Sequence, residues 1–483
     1  MKDKFLFQST RSSEIVASAP EAILSGIAPD GGLFVPVELP RADVRRILSL
    51  DPLPMAAAIL HIMLPSFSEE QLLPLVTNGY TGKFDTPAVT PLCAVGDMNI
   101  LELFHGPTCA FKDVALCLLP HLMKASAESL SDRNEILILT ATSGDTGKAA
   151  LEGFRDVEGT SILVFYPRDG VSAVQKAQMV SQQGSNTHVC SVEGNFDDAQ
   201  TGVKTAFQAL QKEFLAQGVR LSSANSINIG RLAPQVFYYF SAYRDLVNAE
   251  KIAYGDPVDY SVPTGNFGDI LAGYYAKLLG LPIGRLICAS NANNVLTDFL
   301  KDGTYDRCRP FYTTYSPSMD ILVSSNLERL LYLLSKDTAL VSSLMKDLTV
   351  NGRYTVPASM LNQLQQAFWP DCCDDDQTLE TIHHVWNDCG YLLDPHTAVA
   401  WRAAEHYRAK FGTEREMVVL STASPFKFPE AVLSALGIPH AENGFVAMHE
   451  LSKAVNMPIP APLQGLENKP VLHRDTIDPK DLT

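Results

Sequence analysis

The spacing of apolar residues changes period along the chain, and the changes divide it. Over residues 56–64 and 69–76 the apolar positions recur at helical spacing. From about residue 96 to residue 250, short apolar runs alternate with stretches of helical period. The runs predict strands near 99–104, 136–141, 161–166 and 187–192, and the stretches between them predict helices near 112–126, 147–155, 173–182, 197–215 and 231–247. A second series starts at 258 with a strand, a glycine turn, a helix over 269–279 and a strand over 285–290. Residues 301–316 read as a loop. A polar helical insert is expected over 326–388, with residues 371–376 as its acidic tip, and the sheet resumes at Met417–Ser421. Strands that alternate with helices predict parallel sheets covered on both faces, an α/β architecture. The expected division is a mainly helical N-terminal domain over 1–95, a first α/β lobe over 96–250, a second over 251–450 and a tail over 451–483. In the first segment Ala28-Pro29-Asp30-Gly31-Gly32 has the chemistry of a turn.

Composition narrows the function classes. The chain has 483 residues, room for two or three domains, and its apolar content suffices for a large core. A net charge of −16 argues against nucleic acid and anionic membrane as partners, because both attract basic patches. An anionic substrate would need local cations against that global field. The start, Met1-Lys2-Asp3-Lys4-Phe5-Leu6-Phe7-Gln8, lacks the long apolar core of a signal peptide. The longest apolar run, 55–64, is interrupted by His61 and is about half of a membrane span. Nine cysteines lack the paired spacing of a metal site, and adjacent Cys372 and Cys373 read as a solvated turn. A reduced, cytoplasmic protein is expected.

Three stretches carry chemistry. The first is His105-Gly106-Pro107-Thr108-Cys109-Ala110-Phe111-Lys112-Asp113, which follows an apolar segment and opens a helix. On that helix Phe111, Val114, Ala115, Leu118, Leu119 and Leu122 share one face, so Lys112 stands in the first turn of a buried helix. Desolvation lowers an amine's pKa, and a neutral lysine can attack an aldehyde. The alternative is a first-turn lysine whose stem packs while its head reaches water. The second stretch runs from a buried strand into Ser143-Gly144-Asp145-Thr146-Gly147 and then a helix. The third, Pro263-Thr264-Gly265-Asn266-Phe267-Gly268-Asp269, repeats that order. Each is an anion cradle in outline, because free backbone N–H groups and the helix dipole converge at such a turn. Together they suggest one cradle for a carboxylate and one for a phosphate. Lys148, Lys176 and Lys427 are rival lysines.

With these stretches in hand, the chain resembles the threonine synthase family, pyridoxal phosphate (PLP) enzymes of fold type II, in the longer bacterial and fungal form with an N-terminal extension. The matching pieces include Ser9-Thr10-Arg11, residues 23–36, His105 to Asp113, Thr142 to Gly147, Asn225-Ser226-Ile227-Asn228 with Arg231 and Gln235, and Pro263 to Asp269. Ser316-Pro317-Ser318-Met319-Asp320, Asp394-Pro395-His396-Thr397-Ala398 and Thr422-Ala423-Ser424-Pro425 with Lys427 follow in family order. The resemblance implies two α/β lobes related to the tryptophan synthase β fold. It implies Lys112 as the Schiff-base lysine and Gly265, Asn266, Phe267, Gly268 and Asp269 as the cofactor-phosphate loop, with Asp269 ordering that loop as a helix cap. It gives Thr422 as the partner of the pyridine nitrogen. Ser143, Gly144, Asp145, Thr146 and Gly147 would cradle a substrate α-carboxylate, and Arg231 is the best fixed cation for a substrate phosphate. Asp145 would sooner face the cofactor's ring hydroxyl or the helix N–H groups than another carboxylate. His105 and His396 read as structural hydrogen-bonders. Ser318 and Asp320 lie in a matching motif without a derivable role.

The implied reaction is that of a carbon–oxygen lyase acting on phosphates: O-phosphohomoserine and water give threonine and phosphate, with no metal. The partner is this small molecule, and the chain a monomer or homodimer. A threonine-synthase-like phospholyase, giving a 2-oxo acid, ammonia and phosphate, shares nearly every motif. A serine/threonine dehydratase and a catalytically dead binding protein are more distant alternatives.

Overall fold

The computed structural model describes residues 6–481 except 143, 169–170, 195 and 413, and within one helix it omits the side chains of 196, 197, 204 and 208. Two sheets organise the molecule. The five-stranded sheet runs, edge to edge, Asp475–Ile477, Thr187–Val192, Thr160–Pro167, Glu135–Ala141 and Val219–Ser222, all parallel. Strand side chains alternate between faces. Ile136 and Ile138 therefore enter the main core, while Leu139 and Ala141 join a smaller one with Ala199 and Val203 of the helix Phe196–Ala216.

The six-stranded sheet runs Phe368–Cys372, Ile283–Ser290, Val258–Pro263, Met417–Ser421, Met98–Glu102 and Leu92–Val95. It is parallel except for its last pair, a hairpin. Both faces are covered. Leu101, Leu286, Val418 and Leu420 face the main core, and Ile100, Ile287 and Val419 face a second core that includes the helix Pro395–Phe411. The alternation read from the sequence is thus present, and most element positions agree within a few residues.

The sheets do not follow the linear segments. Met98–Glu102, expected with the first lobe, pairs with Met417–Ser421 in the other sheet. The tail also crosses over: Asp475–Ile477 adds an edge strand beside Thr187–Val192. The N-terminal segment contains helices and also a small antiparallel sheet of Val16–Ala17, Phe7–Ser9 and Phe34–Pro36. Its Ala28–Gly32 turn forms as expected, with Gly31 N–H bonded to Ala28 O at 2.9 Å and the Asp30 carboxylate taking Gly32 N–H.

Three expectations need correction. Residues 371–376 are not an acidic tip. Phe368–Cys372 is the sheet's edge strand, where Pro370 is tolerated because one side needs no donor. Asp374 caps the helix Asp375–Cys389 by accepting Gln377 N–H. Cys373 is buried in the second core rather than in a solvated turn. The stretch 301–316 holds a short strand, Thr304–Asp306, paired with Arg353–Thr355.

The polar insert also begins inside the protein. Glu328 and Arg329 open the helix Leu327–Ser335 and are buried. Glu328 accepts from Thr10 Oγ1 at 2.5 Å and from Arg11 Nε and Nη2 at 2.8 Å each. Arg329 donates to the carbonyls of Phe34 and Ile227 and to Asn326 Oδ1. Buried charges persist when they are paired and fully hydrogen-bonded. Here that pairing fastens the N-terminal segment to the second lobe. Among the described residues no helix is long and apolar enough to cross a membrane.

Candidate active site

Lys112 begins the helix Lys112–Ser129, most of which is buried. The preceding loop lies along a second loop, 421–427. Leu103 N–H donates to Ser421 O, Phe111 N–H to Thr422 O and Ser424 N–H to Cys109 O, at 2.9, 2.9 and 3.1 Å. Asp113 folds the first loop back on itself by accepting Thr108 N–H at 2.9 Å and Thr108 Oγ1 at 2.5 Å. Burial raises Asp113 to about 6.

The ε-nitrogen of Lys112 lies 3.7 Å from Asp145 Oδ2 and 3.3 Å from Ser318 Oγ. It also sits 4.9 Å from the centre of the Phe111 ring. Burial lowers this amine to about 8, against the pull of Asp145 and reinforced by Lys427 and Arg231. The nitrogen thus approaches the first glycine turn directly. It reaches the second turn through Ser318, whose backbone oxygen packs against Gly265. A Cβ on Gly265 would meet that oxygen at 2.7 Å and the Cα of Met319 at 3.2 Å, so only glycine fits.

At the first turn Ser143 lies outside the described residues. Gly144 precedes the helix Asp145–Phe154, and Thr142 Oγ1 accepts both Gly144 N–H and Gly147 N–H at 3.0 and 2.9 Å. Two of the turn's amides are therefore directed inward. Thr146, in the first helical turn, is half-buried. Asp145 is buried and accepts from Gln175 Nε2 at 3.0 Å. Its closest partner is a lysine the sequence named only as a rival: Lys427 Nζ lies 2.6 Å from Asp145 Oδ1. Burial opposes the charged form of Asp145, yet Lys427 and Lys112 hold it well below the usual carboxylate range. Of the other rivals, Lys148 pairs with Glu152 and Gln182, and Lys176 is exposed.

At the second turn Phe267 adopts the left-handed conformation and is buried, and Gly268 opens the helix Gly268–Leu279. The loop is tied down by Ser324 Oγ, which donates to Gly265 O at 2.7 Å, and by Asn326 N–H, which donates to Asn266 O at 3.1 Å. Space remains in front of Gly268, where a Cβ would meet nothing closer than 3.6 Å. Asp269 is not a helix cap. Its carboxylate turns into the core and accepts from Tyr239 Oη at 3.1 Å, its Oδ2 has no hydrogen-bond partner among the described residues, and burial raises it to about 7.

Thr422 follows the strand Met417–Ser421 and is buried. Arg231 lies in a four-residue helix, Ile229–Leu232, that precedes the longer helix Val236–Asn248, so the single helix expected over 231–247 is broken. Its guanidinium donates to Ala224 O, its Nε has no hydrogen-bond partner among the described residues, and burial lowers it to about 10. A buried guanidinium with a free donor is suited to an anion.

Ser318 and Asp320 acquire roles. Asp320 accepts from Asn291, Asn293 and Thr314 and so holds the loop that presents Ser318. His396 Nε2 accepts Ser318 N–H at 3.2 Å, while Nδ1 faces Asp394 Oδ1 at 2.8 Å, which fixes the tautomer. His105 bridges Asp85 and Glu102.

A low-pKa amine, a glycine loop at a helix N-terminus and a neutral hydroxyl at a strand end fit an aldehyde-bearing phosphate cofactor. Two such lobes around this lysine define the PLP fold type II class. The family models described as threonine synthase N terminus and threonine synthase, C-terminal match residues 6–80 and 397–477. Threonine synthase of Pseudomonas aeruginosa is 41% identical over 88% of this chain and 89% of its own length, and that of Saccharomyces cerevisiae is 38% identical with 89% of each covered. Among solved structures, the PLP-bound threonine synthase of Brucella melitensis superposes with a TM-score of 0.86 at 39% identity, covering 99% of this chain and 97% of the other. The chain belongs to the threonine synthase family. Human threonine synthase-like 1 is 41% identical over 86% of this chain, which spans 58% of that relative's length.

Proposed function

We propose that the protein is a threonine synthase, converting O-phospho-L-homoserine and water to L-threonine and phosphate with PLP as cofactor. The observation that carries this reading is the Lys112 amine, buried 3.7 Å from Asp145 and 3.3 Å from Ser318 between two strand–turn–helix junctions. PLP, when bound, supplies the electron sink for charge developing beside the substrate's amino group. Lys112 anchors the cofactor's aldehyde and, once released, moves protons at the substrate Cα and Cβ. The amides of Gly265, Asn266, Phe267 and Gly268 hold the cofactor phosphate, with the dipole of the following helix adding to them. Asp269 braces that loop through Tyr239. Thr422 offers the pyridine nitrogen a neutral hydroxyl. Ser143, Gly144, Thr146 and Gly147 surround the substrate carboxylate, Asp145 of the same turn is paired with Lys427, and Arg231 supplies a buried cation for the substrate's phosphate.

The relatives named threonine synthase, matched over most of their own length, support the synthase reading, and product analysis separates it from a phospholyase. Incubation with O-phosphohomoserine is expected to yield threonine and phosphate in equal amounts. Ammonia and a 2-oxo acid in their place would overturn the reading. Ser318→Ala is expected to lower kcat about tenfold, the worth of one hydrogen bond of ~1.4 kcal/mol at the reacting amine. Steady-state kinetics measure it. The nine unpaired cysteines support a cytoplasmic location, and the chain is read as a monomer or homodimer.

A further inference from the structure

Lys427 is a positioning residue, we propose, that keeps the Lys112 amine free to react by occupying the carboxylate that would otherwise hold it as an ammonium. This deepens the reading of Lys112 as the cofactor's anchor and rests on it.

The argument begins with geometry. Asp145 lies between two lysines, with Oδ1 2.6 Å from Lys427 and Oδ2 3.7 Å from Lys112. All three residues are buried, Lys427 most deeply. Its remaining bond goes to Thr108 O at 3.0 Å. A buried carboxylate with one ammonium is neutral as a pair. A second ammonium beside it would be an uncompensated charge in a poorly solvated place, which is costly. The shorter contact decides which lysine pairs, and it is the one to Lys427.

The other groups around the amine do not reverse this. Arg231 adds positive charge near Lys112 and disfavours a further ammonium. Asp113 has the opposite sign but is engaged by Thr108. Ser318 is neutral, and the Phe111 ring is a weak cation partner at 4.9 Å. Around Lys427 itself stand Asp145, Asp113 and the Cys109 thiol, which burial keeps neutral by raising it to about 12.

Without Lys427, Lys112 is the one cation that pairs with Asp145 among the described residues. The amine would then hold its proton more tightly and react less. The reaction concerned is condensation with an aldehyde: the amine's lone pair attacks the carbonyl carbon, a carbon–nitrogen double bond forms, and the oxygen leaves as water with the two amine protons. Only the unprotonated amine begins it.

The test uses the 483-residue chain freed of cofactor. PLP capture is followed between about pH 6 and 10, and the product is reduced with borohydride and located by mass spectrometry. In the unsubstituted chain the label falls on Lys112; a label elsewhere, or none, would overturn the anchor reading itself. Lys427→Met is expected to move the pH midpoint of capture up by about one unit, making capture roughly tenfold slower below the midpoint. Lys427→Arg, which keeps the charge, should leave the midpoint near its original value. The double variant Lys427→Met with Asp145→Asn should bring it back, because the carboxylate that held the proton is gone. A merely structural lysine predicts slowing by one factor at every pH, and that result, or an unmoved midpoint in Lys427→Met, would overturn the proposal while leaving the anchor in place.

Discussion

Lys112→Ala should fold, fail to retain PLP and lose activity on the order of 10⁴-fold, the upper range for removing a group that transfers protons at the reacting centre. On the proposed mechanism two roles vanish with one amine: the covalent hold on the cofactor and the base that works at the substrate carbons. Folding should survive. The amine lies buried at a helix start with a lowered pKa near 8, so its desolvation already opposes much of what its contacts contribute. Asp145 keeps Lys427 at 2.6 Å and Gln175 at 3.0 Å, so it is not stranded. Visible absorbance of the purified variant, its unfolding midpoint and its turnover of O-phosphohomoserine check the three statements separately. A variant that lacks the amine yet turns over substrate within tenfold of the parent would remove Lys112 from the mechanism. One that is inactive because it is unfolded would be recognised by its melting curve.

What the sequence disclosed follows from how local each feature is. The strand Glu135–Ala141, its polar turn and the helix from Asp145 lie within twenty residues or so, and their periods change at the turn, so they were readable. The helix from Lys112 was readable for the same reason. The partner of Asp145 was not. Lys427 arrives because loop 421–427 runs along loop 105–111 through backbone hydrogen bonds, and no residue pattern marks that pairing. Ser318 stands out by resemblance alone; its place beside Lys112 depends on His396 and on Asn291 and Asn293, which hold Asp320 from other parts of the chain.

Polar sequence misled where charge is satisfied inside. Glu328 and Arg329 look like surface residues, but the N-terminal segment brings Thr10, Arg11 and the carbonyl of Phe34 to meet them. Phe368–Cys372 hid as a strand because it holds Pro370 and Asp371, poor strand formers that an edge position accepts. Asp269 looked like a cap because acidic residues favour a helix start. Its side chain instead follows the buried face of its helix to Tyr239.

The helix that carries Asp145 is held against the helix that carries Lys112 at a point where backbone nearly touches backbone, and Gly153→Ala should therefore destabilise the protein by about 3 kcal/mol, the upper range for overpacking. A Cβ at Gly153 would stand 2.1 Å from the carbonyl oxygen of Leu116 and 2.7 Å from its carbon. Both are main-chain atoms in the interior of Lys112–Ser129, so no side chain can rotate away to make room. The sign is what makes the result decisive. Inside a free helix, glycine to alanine stabilises by roughly 1 kcal/mol. Here the same change must push Asp145–Phe154 outward. The shift would be felt eight residues away at the start of that helix, where Asp145 is set between Lys112 and Lys427. Catalysis should fall together with stability, because a displacement of about 1 Å at a reacting group costs on the order of 10²-fold. Denaturant unfolding and kcat measured on the same preparation test both halves. An alanine variant as stable as the parent would mean the two helices can separate freely, and the spacing between the lysine and its carboxylate would then have to be set elsewhere.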